Sequence, residues 1–532
     1  MANISDFWGK GEGKKGPANE KKVGKAVFSV FKKISIIAGS IWQKILPGLY
    51  FISKFFRRIF RLPRVLNRID KIALVILLVI LAGLLGYKFN RDVLSKTKKI
   101  PAVGGTYEEI LIGEAKYLNP VLAKTDTDRT INHLIYSGLT KIDQNGAIQP
   151  DLAESYEISP DGKSYTFHLR SDVSWQDGMP FSSADVIATI LSIKDSSIKS
   201  PYFEAWKDIE VETPDEKTAI FHLANPYGPF IFNTLVGIIP AHLDSGSISA
   251  SPIGTGPYKF TKVSSGKNNS INEVVIERSE SYFGQKPYIK TVKFKIAKDE
   301  NEAKSLFRSG SVDALSGLSV EGDDNVNYLY PTSRQFGLVF NLKNEKFADI
   351  ANRNKIKNKE KSDPKFTFSL LVLDKPLSVS AAESLVKEYK DLGIEIGINK
   401  KSAIEYQDLL QKRTFEAVLY GFDTGYDRDP YPFWHSSQIE KGNNFAGLSN
   451  KNADILLEDA RMATDSTLRN QKYDQFFAIL NEQSVVIFLP AENFKVTIRH
   501  KVQNISTIKG YEPWDHLNGF SDWYLKTKRV KP

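Results

Sequence analysis

A run of 16 residues without a single charge, Ile72 to Tyr87, bounded by Lys71 and Lys88, constrains this chain more than any other feature. As a helix it rises about 24 Å, close enough to a hydrocarbon core of ~30 Å for the flanking lysines to snorkel over the difference. A buried core helix normally keeps a polar stripe, and this run is apolar all round. A cleaved signal peptide would have a shorter basic region and a small-residue cleavage site before Lys88, and neither is present. The expectation is an uncleaved transmembrane anchor over residues 72–89.

Charge orients that anchor. Residues 1–71 hold 16 Lys and Arg against four Asp and Glu, whereas the remaining residues hold 56 against 58. By the positive-inside rule, residues 1–71 are cytoplasmic and the body beyond Tyr87 is extracytoplasmic. Within the basic segment, Val27, Phe28, Phe31, Ile34, Ala38, Ile41, Trp42 and Ile45 recur at helical spacing, and Ile52, Phe55, Phe56 and Ile59 repeat the pattern. These predict basic amphipathic helices lying on an anionic leaflet, with partner docking as the alternative. Residues 1–25, rich in Gly, Lys and Asn, are expected to be disordered. A body of balanced charge has no basic stripe for nucleic acid. Without cysteine the chain has no disulfide, cysteine-ligated zinc, iron–sulfur cluster, thiol nucleophile or lipidated anchor.

A polar linker, 90–105, leads to the body. Ser164 to Arg170 alternates as a strand, Ala184 to Ile193 reads as a helix, and Phe366 to Leu373 as a buried strand. Ala381 to Leu392 is an amphipathic helix closed by Gly393, followed by a strand from Ile394 to Ile398. This order predicts α/β architecture, a sheet covered by helices.

Several motifs then fall in order: Leu118-Asn-Pro120, Ile135-Tyr-Ser-Gly-Leu139, Pro150 to Ser155, Ser159 to Arg170, Trp175 to Val186, Pro252-Ile-Gly-Thr-Gly-Pro-Tyr258, Tyr282 to Tyr288, Ser309 to Asp313 and Gly447 to Asn450. Together they resemble family 5 extracellular solute-binding proteins, the oligopeptide- and dipeptide-binding components of ABC importers. The resemblance implies a two-lobed, hinged clamshell of the type II periplasmic-binding-protein kind, closing on a peptide or small solute and docking on permease subunits. It maps lobe I to 105–341 plus 489–527, and lobe II to 342–488. Lobe II looks trimmed, because only a charged stretch, Lys343 to Lys365, follows the crossing strand Phe336 to Asn341.

No catalytic signature occurs: no His-Glu-x-x-His, Gly-x-Ser-x-Gly, P-loop or complete Gly-x-Gly-x-x-Gly. Gly254-Thr-Gly256-Pro257 is a tight turn, and the seven histidines make no i, i+4 pair for a metal. The chain is therefore read as a binding protein, not an enzyme, with neither cofactor nor metal. Trp175, Asp177 and Gly178 are read as shaping the fold. The segment Tyr420 to Trp434 resembles the family loop that presents an aspartate to a peptide's α-ammonium. The aligned position here is Tyr426, so the anchor is either displaced, to Asp427 or Asp423, or absent. Phe422, Tyr426 and Trp434 could supply an aromatic wall, Trp434 equally a core residue, and Tyr117 and Asn119 sit on the opposing loop. A family-derived sensor or scaffold, with output through the cytoplasmic helices, is the alternative function.

Overall fold

The computed structural model describes residues 67–266, 270–491 and 493–531. The expected amphipathic helices and the disordered stretch before residue 67 lie outside them. The chain divides into two units, Met1–Lys98 with Val530–Pro532, and Lys99–Arg529.

In the first unit a helix runs over Arg68–Ser95, 28 residues. It contains the expected span and carries Val75, Leu78 and Leu84 well exposed to their surroundings. Among the described residues, no helix is long and apolar enough to cross a membrane. The expected crossing is thus not shown. The uncharged run falls about 6 Å short of a hydrocarbon core, and extending it takes in Lys88, Arg91 and Asp92.

The second unit is built on three main sheets. A seven-stranded sheet has the order Asn325–Pro331, Asn493–Arg499, Ala314–Ser316, Thr106–Ile112, Thr291–Ala297, Ile271–Arg278, Tyr258–Ser265. A four-stranded antiparallel sheet, Ala153–Ile158, Ser164–Leu169, Thr218–His222 and Glu210–Asp215, packs into the same core. The third sheet, five strands in the order Ile394–Lys401, Phe366–Leu373, Ala417–Asp423, Arg334–Phe340, Val486–Phe488, forms the second lobe. Its strands alternate strictly. Val339, Leu371 and Val418 enter one core, and Leu338, Leu370 and Leu419 enter the core on the other face. That double burial makes the central strands read as near-continuous apolar runs.

Strand pairing moves the crossover. Arg334–Phe340, expected at the end of lobe I, pairs with Ala417–Asp423 and Val486–Phe488 and so belongs to the second lobe's sheet. The chain crosses between Pro331 and Arg334 and returns between Phe488 and Asn493. The charged stretch after it is folded into short helices, Glu345–Ala348 and Ile350–Lys357, which bury Phe347 against Phe340 and Phe368. The helix expected from Ala381 begins five residues earlier, at Pro376, which occupies the first helical turn where its missing N–H costs nothing.

Two glycines mark close approaches. Gly254 lies against the Ile135 carbonyl, which a Cβ would meet at 1.9 Å, so the Gly-Thr-Gly-Pro turn seats the first lobe's loop on its neighbouring helix. Gly228 of the first lobe donates its N–H to the Arg461 carbonyl of the second at 2.7 Å, and a Cβ there would lie 2.0 Å from the Ala463 carbonyl oxygen. The lobes therefore touch directly in this conformation. Trp175, fully buried, donates its indole N–H to Asp185 at the start of helix Ser183–Lys194, a structural role as expected.

Candidate functional site

The helix Asp126–Ile135 starts with a capping box between Thr125 and Asp128. The Asp128 carboxylate also accepts the N–H groups of Lys116, Tyr117, Lys124 and Thr125 at 2.7–3.2 Å, which ties the preceding loop onto the helix end. The helix presents Arg129, Asn132 and His133 to a cavity of about 620 Å³. The segment after the last strand of the main sheet brings Glu512, Trp514 and Asn518 to the same space, and Tyr202, Phe232 and Tyr282 add aromatic wall. The second lobe contributes one lining residue, Tyr426.

Tyr426 fastens the lobes together. Its hydroxyl donates to Asp515 Oδ1 at 2.6 Å and accepts from Trp514 Nε1 at 3.1 Å, and its ring stacks on Phe232 at 6.2 Å. Asp515 is held in turn by the N–H groups of Tyr511 and Glu512 and by the Asn518 amide. Burial raises the Asp515 carboxyl, against those hydrogen bonds, and raises the Tyr426 phenol well above its ordinary range.

A second fastening surrounds Arg334, at the crossover. Its guanidinium meets both Asp126 oxygens at 2.5 and 2.7 Å, Asp423 at 3.0 Å and Glu512 at 3.7 Å. Ser333 joins it, donating to Asp423 and Glu512. Burial, then the nearby Asp423, lifts the Glu512 carboxyl to about 8.

Of the residues that the sequence singles out, Tyr426 alone lines the cavity. Asp427 is paired within its own lobe: Oδ1 lies 2.7 Å from Arg469, Oδ2 accepts from the Tyr473 hydroxyl at 3.0 Å, and burial lifts its carboxyl to about 6. Asp423 is engaged by Arg334 and Ser333. Phe422 and Trp434 stack on each other at 5.4 Å inside the second lobe's core, which is also the packing role open to Trp434 in the sequence. Asn119 is fully buried, accepting from Val121 N and donating to Ser245, while Tyr117 faces Lys124.

The residues that sequence reasoning passed over are those of the cavity floor. Arg129, Asn132, His133 and Tyr136 recur at three- and four-residue spacing in a stretch otherwise apolar (Ile131, Leu134, Ile135), a polar stripe that was legible. Several buried polar atoms of residues on this floor have no hydrogen-bond partner in the protein: Arg129 Nε, Asn132 Oδ1 and the Tyr136 hydroxyl. Native folds rarely leave such groups unsatisfied, so their convergence on one cavity marks a place for a polar ligand.

Known proteins match this arrangement. Residues 147–358 match the model of bacterial extracellular solute-binding proteins, family 5, middle region. The chain is 23% identical over 550 residues to the oligopeptide-binding protein AppA of Bacillus subtilis, covering 85% of this chain and 97% of that protein. It is 23% identical over 479 residues to the probable D,D-dipeptide-binding periplasmic protein DdpA of Escherichia coli, covering 74% and 90%. The structure of B. subtilis AppA in complex with a nonapeptide superposes with a TM-score of 0.62 at 20% identity, covering 80% of this chain and all of that one. The match over residues 147–358, together with relatives aligned over most of the chain, makes the chain similar to family 5 solute-binding proteins and supports a substrate-binding role in import, while the solved structure shares its fold.

Proposed function

We propose that the chain captures a compact peptide or peptide-like solute outside the cytoplasm, closes on it, and hands it to the permease of an ABC importer. The observation that carries this reading is the convergence of unpartnered buried polar atoms on one cavity beneath the interlobe latch. Binding requires only that the ligand favour the closed state, so no chemical step is needed. The cavity volume suits a small solute. An aspartate anchor for an α-ammonium would have to be drawn from Asp427 or Asp423, each of which would first leave its arginine. Tyr426 and the floor residues are therefore the proposed ligand contacts.

The test is calorimetry of the full chain against a library of short peptides and blocked peptides, with small-angle scattering to follow the radius of gyration. Binding with compaction is the expected result. A full library without binding would favour the scaffold reading. The proposal extends to the N-terminus: the uncharged, all-round apolar run between Lys71 and Lys88 is an anchor that snorkelling completes, holding the body outside the cell. Extraction by alkaline carbonate in place of detergent would refute that part.

A further inference from the structure

The arginines around the lobe junction are paired with carboxylates, and the one that lines the cavity is not, whereas Arg353 and Arg413, away from it, donate to backbone carbonyls. Arg334 is held by Asp126 and Asp423, Arg461 by Asp429, and Arg469 by Asp427, in each case at 3.0 Å or less. Among the described residues, no carboxylate pairs with Arg129. Its guanidinium lies 5.4 Å from the Trp514 ring and 5.9 Å from the Tyr202 ring, and its buried Nε has no hydrogen-bond partner. Aromatic neighbours orient a guanidinium fork without cancelling its charge.

The other ionisable groups of the cavity are already answered. Asp151 is paired with Lys141 at 2.9 Å, and Glu512 faces Ser333 and Arg334. Asp143 accepts two backbone N–H groups of its own turn, and Asp522 the Gln285 amide. His133 is uncharged at neutral pH, because burial and the neighbouring His516 bring it down to about 4. Of the two permanent cations lining the cavity, Lys141 is paired with Asp151 and Arg129 has no carboxylate.

We propose that Arg129 is the specificity anchor of the cavity and that the natural ligand carries a carboxylate, engaged by the guanidinium fork. The unpartnered oxygen of Asn132 accepts an N–H or O–H group of the same ligand. A planar, two-donor fork suits a carboxylate better than a point charge does. This rests on the cavity being the solute site, and it predicts the opposite polarity from an ammonium-anchoring acid.

The experiment uses the full chain and three matched probes: N-acetyl dipeptides with a free carboxylate, the same dipeptides amidated with a free amine, and versions blocked at both ends. Calorimetry should show the N-acetyl acids binding about ten- to a hundredfold more tightly than the doubly blocked forms. Arg129→Gln should erase that difference, and Arg129→Lys should retain part of it. The probe comparison on the unaltered protein stands even if a variant fails to fold. Equal or tighter binding of the amine-bearing amides, or a carboxylate preference that survives in Arg129→Gln, overturns the proposal and leaves solute binding intact. Binding of none of the probes overturns both.

Discussion

Replacing Tyr426 by phenylalanine removes one oxygen from the interlobe latch and leaves its ring on Phe232. The lost interactions are the 2.6 Å donation to Asp515 and the 3.1 Å acceptance from Trp514. Asp515 keeps its other three donors, so the floor of the first lobe should hold its shape. A hydrogen bond to a charged group is typically worth ~1.5–3 kcal/mol, and ~1.4 kcal/mol is a decade of equilibrium constant. The bond exists only when the lobes are together, so its loss falls on the closed state alone. Tyr426→Phe should therefore reduce the closed population about ten- to a hundredfold relative to the open one. Because a ligand selects the closed state, its affinity should fall by a comparable factor. Calorimetry reads the affinity, and scattering reads a larger radius of gyration at matched ligand concentration. An affinity within twofold of the parent, with unchanged compaction, would refute the latch.

Gly228→Ala forces a Cβ onto the Ala463 carbonyl in the closed state only. Overpacking of this kind costs ~1–3 kcal/mol, so ligand-induced compaction should weaken about five- to a hundredfold while the melting of the unliganded protein stays put. Trp434→Ala empties the second lobe's aromatic core and should destabilise that lobe by ~3–5 kcal/mol in denaturant titration, an effect on stability with no change in ligand preference. Glu512 gives a pH signature. Its carboxyl lies near 8 in the fold against an ordinary 4.5. The folded state thus retains a proton that the unfolded chain releases, and the stability tied to it is complete below about 4.5 and lost as pH rises toward 8. Melting curves of Glu512→Gln should be flatter than the parent's across that window, and an unchanged slope would reject the assignment.

What could be read from the sequence was whatever local pattern decides. The strand Phe366–Leu373 was legible because it is buried on both faces, and Ser164–Leu169 because it alternates. The start at Pro376 was missed because Leu377, Ser378, Val379 and Ser380 alternate as a strand would, and packing on the sheet overrides that. The crossover was misplaced because Phe336 to Asn341 reads as a strand in either lobe, and its partners at 417–423 and 486–488 decide between them. The site divides in the same way. Tyr426 was visible as a departure at a motif position, whereas Glu512, Trp514 and Asn518 reach the cavity from a segment nearly four hundred residues after Arg129. Spacing can place the stripe Arg129, Asn132, His133 and Tyr136 on one helix. It cannot tell that Asp126, three residues before Arg129, is drawn to Arg334 while Arg129 is left without a carboxylate. Pairing choices among like-looking charges are tertiary facts. In this protein they underlie the proposed preference for a carboxylate, because Asp423 and Asp427, the acids that the motif would offer to an ammonium, are spent on Arg334 and Arg469, and the guanidinium of Arg129, which lines the cavity, has none.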